Sequence, residues 1–358
     1  MAVVCEHFAM RACVMRHGEL VVDEVADPVP EFGQVLVRTL ACGICGSDLH
    51  FLKSGQKMAE MTDELLGSLG DLAPMGASRL DVGQDIVMGH EFCSEVIAAG
   101  PDTRAPQPGT RVVSVPVLVG MDGIHQLAYN NRFPGGFAEK MLLSAPMLLE
   151  VPDEVDTRSA AMTEPLAVGI HAVERAGIDA RESAVVAGCG PVGLAVIAAL
   201  RMKGVESVVA SDPSPLRRRL AESMGATEAV DPREEPLVEA WRRIDGRRSL
   251  VAFEAVGVPG MIESLMHDVP PRTRLLVVGV CMDPDAFRPF FAIAKELELR
   301  FALAYDPSEF AAALAAIAGQ KVDVAPMITG TVGLEGAPAA FEELANPERQ
   351  VKILVEPV

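Results

Sequence analysis

The hydrophobic pattern of this 358-residue chain changes once along its length, and its first part is β-like. Residues 11–40 and 90–144 contain short apolar or alternating runs separated by proline and glycine, which predicts short strands joined by turns. The predicted strands are 20–25, 35–38, 93–98, 110–119 and 137–143. Such strands predict a β-rich unit of the barrel or sandwich type.

From about residue 165, short apolar strands alternate with amphipathic helices. The predicted strands are 184–187, 207–211, 250–254, 275–280 and a closing 351–355, and the predicted helices are 191–202, 215–224 and 308–319. This alternation is typical of a parallel sheet covered by helices. The predicted fold class is therefore α/β, with a β-rich unit beside a doubly wound parallel sheet.

The candidate chemistry is concentrated in one stretch, Cys42-Gly-Ile-Cys45-Gly-Ser47-Asp48-Leu-His50. It places two thiols, a hydroxyl, a carboxylate and an imidazole close together, and its two glycines permit a tight turn. Zinc binds cysteine, histidine and carboxylate side chains, and a catalytic zinc keeps one position open for water or substrate. A single C-x2-C pair is weak evidence by itself, because structural zinc sites usually have two such pairs.

Two later segments strengthen the metal hypothesis. Gly89-His90-Glu91 and Thr163-Glu164-Pro-Leu supply an imidazole and one or two carboxylates from distant parts of the chain. Catalytic sites are commonly assembled in this way, whereas a zinc finger is local. The sequence therefore predicts a catalytic zinc site that contains Cys45.

Residues 52–85 lie between these zinc segments and follow neither pattern. Met58, Met61, Leu65 and Leu66 recur at helical spacing, and a loop-like run follows them. Two interpretations stay open: a surface helix that covers a neighbouring face, or a lid over the metal site. Methionine-rich walls adapt to varied ligands, which is the basis of the second interpretation.

A second motif, Gly188-Cys-Gly190-Pro-Val-Gly193, lies between a predicted strand and a predicted helix. In a dinucleotide site the glycines permit a tight turn, close approach of the pyrophosphate and helix–strand packing, and the helix N-terminus favours the phosphates. Asp212 ends the next predicted strand, where a carboxylate can bind the adenosine ribose hydroxyls and repel a 2′-phosphate. We therefore expect NAD rather than NADP. Two interpretations of Arg217 stay open: it contacts the same ribose, or it is a surface residue of its helix with no role in cofactor binding.

The charge balance limits the partners. The chain has 50 acidic and 31 basic residues and a net charge of −19, which argues against nucleic acid and anionic membranes as partners. The chain has seven cysteines, an odd number, and their spacing does not match that of a disulfide framework. A secreted protein stabilised by disulfides is therefore not expected. No signal peptide or membrane span is evident, so we expect a cytoplasmic protein.

With both sites in hand, the chain resembles the zinc-dependent medium-chain dehydrogenases, the alcohol and polyol dehydrogenase superfamily. Besides the two motifs above, the matching segments are Gly89-His90-Glu91, Pro108-Gly-Thr-Arg-Val112, Gly135-Gly-Phe-Ala-Glu139, Glu164-Pro-Leu-Ala-Val-Gly-Ile-His171 and Val277-Val-Gly-Val280. The Glu-Pro-Leu form is most similar to the sorbitol, threonine and butanediol dehydrogenase branch.

The resemblance implies an architecture and an activity. A GroES-like catalytic domain would consist of residues 1–165 and 306–358, including the 52–85 insertion, and a Rossmann domain of residues 166–305 would lie between them. The implied activity is reversible oxidation of a primary or secondary alcohol or polyol, with hydride transfer to NAD. The implied assembly is a homodimer or homotetramer, and residues 275–280 lie where such subunits often pair their sheets.

The resemblance also assigns roles around the metal. Cys45 and His90 would bind zinc, and either Glu91 or Glu164 would complete the set; alternatively, Glu91 forms a salt bridge elsewhere and only Glu164 binds. Asp48 would orient His90, unless it only caps a turn.

In the implied proton path, Ser47 would bridge to the substrate hydroxyl. His50 would then pass the proton to solvent, unless it is a plain surface histidine. The implied cofactor-binding residues are Gly188, Gly190, Pro191, Val192, Gly193, Asp212, Arg217, Val256, Val278 and Val280.

Two features depart from the family pattern. Residues 117–133, where many relatives bind a structural zinc, contain no cysteine, so we expect one catalytic zinc per chain and no structural zinc. The insertion lengthens the interval from Cys45 to His90. The identity of the substrate therefore cannot be inferred from the substrates of relatives. The rival hypotheses are a zinc-free reductase of activated double bonds and a non-enzymatic nucleotide-binding protein.

Overall fold

The computed structural model describes residues 9–70, 80–346 and 348–358. Its contacts divide the chain into two compact units. The first consists of Met1–Met162, Gly330–Ala345 and Lys352–Val358, and the second of Thr163–Thr329 and Asn346–Val351. None of the described helices is long and apolar enough to cross a membrane.

The elements are numbered in chain order. The strands are β1 (Ala9–Arg16), β2 (Glu19–Ala26), β3 (Gln34–Gly43), β4 (Glu91–Ala99), β5 (Arg111–Ser114), β6 (Val117–Gly120), β7 (Gly123–Gln126), β8 (Lys140–Ser144), β9 (Leu148–Glu150), β10 (Ser183–Ala187), β11 (Ser207–Ser211), β12 (Glu228–Val230), β13 (Leu250–Glu254), β14 (Arg274–Val277), β15 (Glu298–Phe301), β16 (Ile328–Val332) and β17 (Lys352–Val355). The helices are α1 (Gly46–Leu69), α2 (Thr157–Ala161), α3 (Thr163–Ala176), α4 (Pro191–Met202), α5 (Pro215–Ser223), α6 (Leu237–Ile244), α7 (Met261–Asp268), α8 (Pro289–Lys295), α9 (Pro307–Ala318) and α10 (Ala337–Leu344).

The first unit is built around a seven-stranded sheet in the order β16-β17-β3-β4-β5-β9, with β8 also paired to β3. Its antiparallel pairing of β3 with β4 sets Gly43 opposite Glu91 and Cys42 opposite Phe92. The chain leaves β3 just before Cys45 and enters β4 just after His90. This register therefore brings the two predicted metal ligands to the same end of the sheet, although they are far apart in sequence.

Helix α1 confirms a helix in the first part of the 52–85 segment, but only the start of its apolar stripe packs on the core, where Met58 is partly buried. Met61 and Leu65 are 45% and 57% exposed, whereas Phe51, nearer the start of the helix, is 1% exposed. The backbone leaves helical geometry at Ser54 (φ −144°, ψ 34°). Residues 71–79 of the predicted loop-like run lie outside the described part of the chain.

Two strand predictions in the first unit differ from the structure. The predicted strand 110–119 consists of β5 and β6, because Pro116 cannot continue a ladder and its carbonyl instead accepts from Leu127 N (2.9 Å). The predicted strand 137–143 begins later, at Lys140.

The second unit contains a parallel sheet in the order β12-β11-β10-β13-β14-β15, with β10 near its centre. All five residues of β10 are buried, as expected for a parallel strand covered on both faces. Helix α9 belongs to this unit and packs on α3, so the chain returns to the first unit at Gly330 and not at residue 306.

The predicted strand 275–280 corresponds to β14, and the expectation that subunits pair at this strand is wrong. Strand β14 has β13 on one side and β15 on the other, so its backbone groups are already paired. The edge is β15, Glu298–Phe301. The sequence analysis missed this strand, although Leu299 and Phe301 alternate with Glu298 and Arg300, a pattern that predicts a strand.

Candidate active site

The turn between β3 and α1 is fixed by Asp48. Its Oδ2 accepts a hydrogen bond from Cys45 N (2.9 Å), and Asp48 N donates to the Cys45 carbonyl (3.1 Å). The carboxylate thus occupies the third position of α1 and caps the start of the helix. Asp48 is completely buried. The two roles left open for Asp48, cap or neighbour of His90, are compatible in this geometry.

Three predicted ligands converge in the first unit. Cys45, His90 and Glu91 each offer one ligand atom, and these atoms lie within 4.8 Å of one another. A thiolate, an imidazole and a carboxylate form a donor set that suits zinc. The fourth candidate, Glu164, is 8% exposed in the first turn of α3 and belongs to the second unit.

The surroundings of the His90 ring also suit a metal ligand. Its Nδ1 is buried, makes no hydrogen bond in the described structure and lies 3.5 Å from Asp48 Oδ1. A metal-bound histidine usually directs its other ring nitrogen at such a carboxylate. Burial by itself would lower the pKa of His90, but Asp48 and Cys45 together raise that pKa well above its usual value. Zinc binds the neutral imidazole, so protons and the metal compete for this ring.

Glu91 is bound by a residue that the sequence analysis missed. Lys352 Nζ lies 2.7 and 2.6 Å from the two Glu91 oxygens and donates to the Ile44 carbonyl (3.0 Å). The Glu91 carboxylate also passes over Gly43, where a Cβ would lie 2.0 Å from Oε2. The salt bridge considered for Glu91 is present, and Glu91 remains within reach of Cys45 and His90. The sequence signal that could have indicated this buried ion pair is the lysine at the start of the otherwise apolar strand β17.

Ser47 is bound by a second missed residue, Tyr129. The phenol oxygen lies 2.9 Å from Ser47 Oγ and 2.8 Å from Asp48 Oδ1. Burial and the Asp48 carboxylate raise the pKa of Tyr129 well above its usual value, so the phenol is protonated. His50 is exposed on α1, and no hydrogen bond joins its ring to Ser47 among the described residues.

The cysteine-free segment forms the β6–β7 hairpin and the loop after it. His125 Nε2 lies 2.8 Å from Asp122 Oδ1, and Arg132 Nη1 donates to Asp122 Oδ2 (2.7 Å). The Phe133 ring packs on both His125 and Arg132. The Arg132–Asp122 ion pair and the Phe133 ring therefore connect the hairpin to the loop that carries Tyr129.

The glycine motif forms the turn between β10 and α4. Gly188 has φ +91°, a backbone conformation that favours glycine. A Cβ on Gly193 would lie 1.9 Å from the Gly188 carbonyl oxygen, so the turn closes only with glycine there. Gly190 is the N-cap of α4, and Pro191 and Val192 form its first turn. The free N–H groups of this helix end have the arrangement that favours an anion such as a phosphate.

Asp212 lies beside this turn at the end of β11 and is 4% exposed. Its Oδ2 accepts from Cys189 N (2.9 Å) and its Oδ1 from Ser214 N (2.8 Å). Arg217 Nη1 lies 3.9 Å from Asp212 Oδ2. The next arginine, Arg218, donates instead to the carbonyls of Asp212 and Pro213 and to Asp231. Arg217 is thus the arginine that faces the predicted ribose site.

The other predicted cofactor residues lie on two loops at the same edge of the sheet. Val256 and Val280 are half-exposed there, whereas Val278 is buried. Buried Glu254 joins the loops: Oε1 accepts from Val256 N and Gly257 N, both at 2.8 Å, and its backbone carbonyl accepts from Val278 N (2.9 Å). Burial raises the pKa of Glu254. This bridging carboxylate was also missed by the sequence analysis.

Two family models match the chain. A model described as alcohol dehydrogenase GroES-like domain matches residues 31–153, and one described as zinc-binding dehydrogenase matches residues 191–319. The first contains the Cys45 and His90 segments, and the second begins at the first residue of α4.

Curated relatives align over nearly the full length. The (R,R)-butanediol dehydrogenase of Bacillus subtilis is 30% identical over 347 residues, covering 94% of this chain and 96% of the relative. The sorbitol dehydrogenase of the same organism is 27% identical over 366 residues, covering 97% of each chain.

Solved structures agree in fold. The 2R,3R-butanediol dehydrogenase of Bacillus subtilis superposes with a TM-score of 0.81 at 27% identity, covering 98% of this chain and all of that one. A zinc-binding dehydrogenase from Sinorhizobium meliloti, solved bound to NADP, gives a TM-score of 0.80 at 27% identity with the same coverage.

Proposed function

The chain belongs to the zinc-type medium-chain alcohol dehydrogenases, and from that premise we propose that it oxidises a diol or polyol with NAD. The family resemblance predicted from the sequence is confirmed, as is the fold class of a GroES-like unit with a Rossmann sheet. The chain is an oxidoreductase that interconverts alcohols and carbonyl compounds with a nicotinamide cofactor. Relatives named butanediol and sorbitol dehydrogenase support a substrate with neighbouring hydroxyls.

One observation carries the metal part of this proposal: Cys45, His90 and Glu91 converge within 4.8 Å. We propose a single catalytic zinc per chain, bound by Cys45 and His90, with Glu91 or Glu164 as the third protein ligand. When bound, zinc acts as a Lewis acid and lowers the pKa of a substrate hydroxyl. Asp48, 3.5 Å from His90 Nδ1, is proposed to orient that ring, and Lys352 neutralises Glu91.

Ser47 is proposed to accept the proton of the substrate hydroxyl while it releases its own. Because no hydrogen bond joins His50 to Ser47 among the described residues, the exposed His50 is proposed to receive the released proton through an intervening water and to pass it to solvent. When bound, the nicotinamide cofactor would accept the hydride from the substrate carbon, and the glycine turn of the second unit would hold its pyrophosphate. Ser47 lies 3.5 Å from His90 Nε2, so its hydroxyl is next to the proposed metal ligands.

We propose NAD rather than NADP as the cofactor. The support is Asp212, whose carboxylate lies beside the glycine turn and would repel a 2′-phosphate. The positive charge of Arg217 would instead favour a 2′-phosphate, and one structural neighbour was solved bound to NADP. The ratio of kcat/KM for the two cofactors tests this choice.

A homodimer that pairs Rossmann sheets is proposed from the edge of the second unit. Strand β15 has neighbours on one side only, and Phe301 and the following Leu303 are 59% and 80% exposed. On α8, Phe290 and Ile293 are 71% and 75% exposed. An unpaired edge beside apolar side chains is typical of an interface. Sedimentation of wild type and Phe301→Lys tests this, because a charge in the interface should yield monomers.

A reducing compartment, the cytoplasm, is proposed as the location. The six cysteines among the described residues are free. Cys45 must also remain a thiolate to bind zinc.

The proposal is tested by measuring zinc per chain and NAD-linked oxidation of a panel of diols, polyols and secondary alcohols. Activity that survives complete removal of zinc would instead favour the zinc-free reductase. Cofactor binding without turnover on any alcohol would favour a nucleotide-binding role.

A further inference from the structure

Tyr129 joins two groups at the proposed centre, the Ser47 hydroxyl and the Asp48 carboxylate. Its phenol oxygen lies 2.9 Å from Ser47 Oγ and 2.8 Å from Asp48 Oδ1. A phenol has one proton and a carboxylate can only accept, so Tyr129 donates to Asp48 and accepts from the Ser47 hydroxyl. The three side chains therefore form one directed hydrogen-bond chain that ends at a completely buried charge.

This direction determines what Ser47 offers to a substrate. With its proton held by Tyr129, the free lone pairs of Ser47 Oγ are available to accept from a substrate hydroxyl. A chain that ends in a carboxylate also polarises each hydroxyl along it, so Ser47 becomes a better acceptor. We propose that Tyr129 is a positioning residue for alcohol oxidation, which acts by orienting the Ser47 hydroxyl. This inference rests on the proposed function.

The Tyr129 ring is held independently of its hydroxyl. Its centroid lies 5.1 Å from that of Phe51 and 5.6 Å from that of His90. Phe51 is buried and lies against Gly55, where a Cβ would be 3.5 Å from the ring. Replacing Tyr129 by phenylalanine should therefore remove one oxygen and keep the packing.

The two segments that depart from the family pattern, residues 117–133 and 52–85, both contribute to the surroundings of Tyr129. Tyr129 belongs to the cysteine-free segment, and Phe51 belongs to the helix that enters the insertion. Two residues after Tyr129, Asn131 accepts from Asp81 N and donates to the Asp81 carbonyl, both at 2.9 Å. The end of the insertion is thus tied to the loop that carries Tyr129. Both atypical segments hold the ring in place beside Ser47.

The test compares zinc-loaded wild type with Tyr129→Phe, Ser47→Ala and the double variant. Tyr129→Phe should lower kcat for an alcohol about tenfold or more, with the KM for NAD and the zinc content unchanged. Because Tyr129 acts through Ser47, the double variant should be no slower than Ser47→Ala. Tyr305→Phe, which removes the other tyrosine hydroxyl in the chain, is the matched control and should retain wild-type kcat.

A crystal structure of Tyr129→Phe supplies a readout besides activity. The Ser47 hydroxyl should lose its single orientation, while the introduced phenylalanine ring stays against Phe51. An unchanged kcat, additive losses in the double variant, or an unmoved Ser47 would each overturn the inference.

If wild type oxidises no alcohol, the proposed function fails, and the position of Ser47 in the variant decides the orienting role by itself. If Tyr129→Phe does not fold, Asn131→Ala, which releases the loop from Asp81, should lower kcat in the same way; an unchanged kcat there overturns the inference.

Discussion

Lys352 Nζ lies 2.6 Å from Glu91 Oε2, and both side chains are almost completely buried. Lys352 belongs to the C-terminal strand β17, which pairs with β3, whereas Glu91 begins β4. The chain therefore sets the positive charge of its last strand against a carboxylate of the proposed zinc site. Removing either charge alone leaves the other buried without compensation.

Lys352→Met should be strongly destabilising for this reason. The expected loss in the free energy of unfolding is roughly 3–5 kcal/mol, the usual result of breaking a buried pair from one side. Urea unfolding of the zinc-free proteins measures the loss without a contribution from metal binding. Lys352→Arg keeps the charge and is the matched control, and Lys352→Met combined with Glu91→Gln should recover much of the loss. A Lys352→Met protein as stable as wild type would contradict the role given to this pair.

Cys45→Ser and His90→Ala should each abolish alcohol oxidation and lower bound zinc to a small fraction of the wild-type content. Both residues offer atoms to the same cluster, and loss of a ligand removes metal affinity. NADH binding, followed by fluorescence, should remain within about twofold of wild type, because the glycine turn belongs to the other unit. Cys13→Ala, at a buried thiol on β1, is the control for a cysteine outside the cluster. Full turnover in either variant would contradict the assignment of Cys45 and His90 as zinc ligands.

Gly193→Ala should prevent cofactor binding. The added Cβ would lie 1.9 Å from the Gly188 carbonyl oxygen, so the turn that receives the pyrophosphate must open. Gly67→Ala is the matched control, because no atom lies within 4 Å of its added Cβ and it lies in helix α1. It should stabilise the protein by up to about 1 kcal/mol, with no change in NADH affinity. Wild-type NADH affinity in Gly193→Ala, measured by titration calorimetry, would show that the turn does not bind the cofactor.

Asp212→Asn should shift the cofactor preference toward NADP. The amide oxygen can still accept from one backbone N–H, but the charge that opposes a 2′-phosphate is gone and Arg217 remains. We expect the ratio of kcat/KM for NAD over NADP to fall about tenfold or more, since a charge interaction of about 1.4 kcal/mol corresponds to that factor. Adding Arg217→Ala should reverse the gain for NADP. A ratio that does not change would mean that Asp212 serves only its two backbone hydrogen bonds.

The parts of the site that the sequence predicted are those defined by local motifs. The glycine turn needs only a strand, three glycines and a helix in succession, and the structure places them as expected. Cys45 and His90 are distant in sequence, but each carries its own short motif. Their meeting follows from the β3–β4 register, which the sequence pattern does not contain.

The parts that were missed depend on long-range pairing. Lys352 reaches Glu91 across 261 positions, and Tyr129 reaches Asp48 across 81, so neither contact leaves a local pattern. The helix in the insertion was predicted from its spacing, yet Met61 and Leu65 point to solvent. Periodicity shows that a helix has an apolar side and does not show what covers that side.

The most direct test measures zinc by elemental analysis and NAD-linked diol oxidation on one sample, before and after removal of the metal and again after zinc is restored. We predict about one zinc per chain, consistent with one open catalytic site. Activity should disappear with the metal and return with it. Full activity in a zinc-free protein would contradict the central claim, that Cys45 and His90 form a catalytic zinc site.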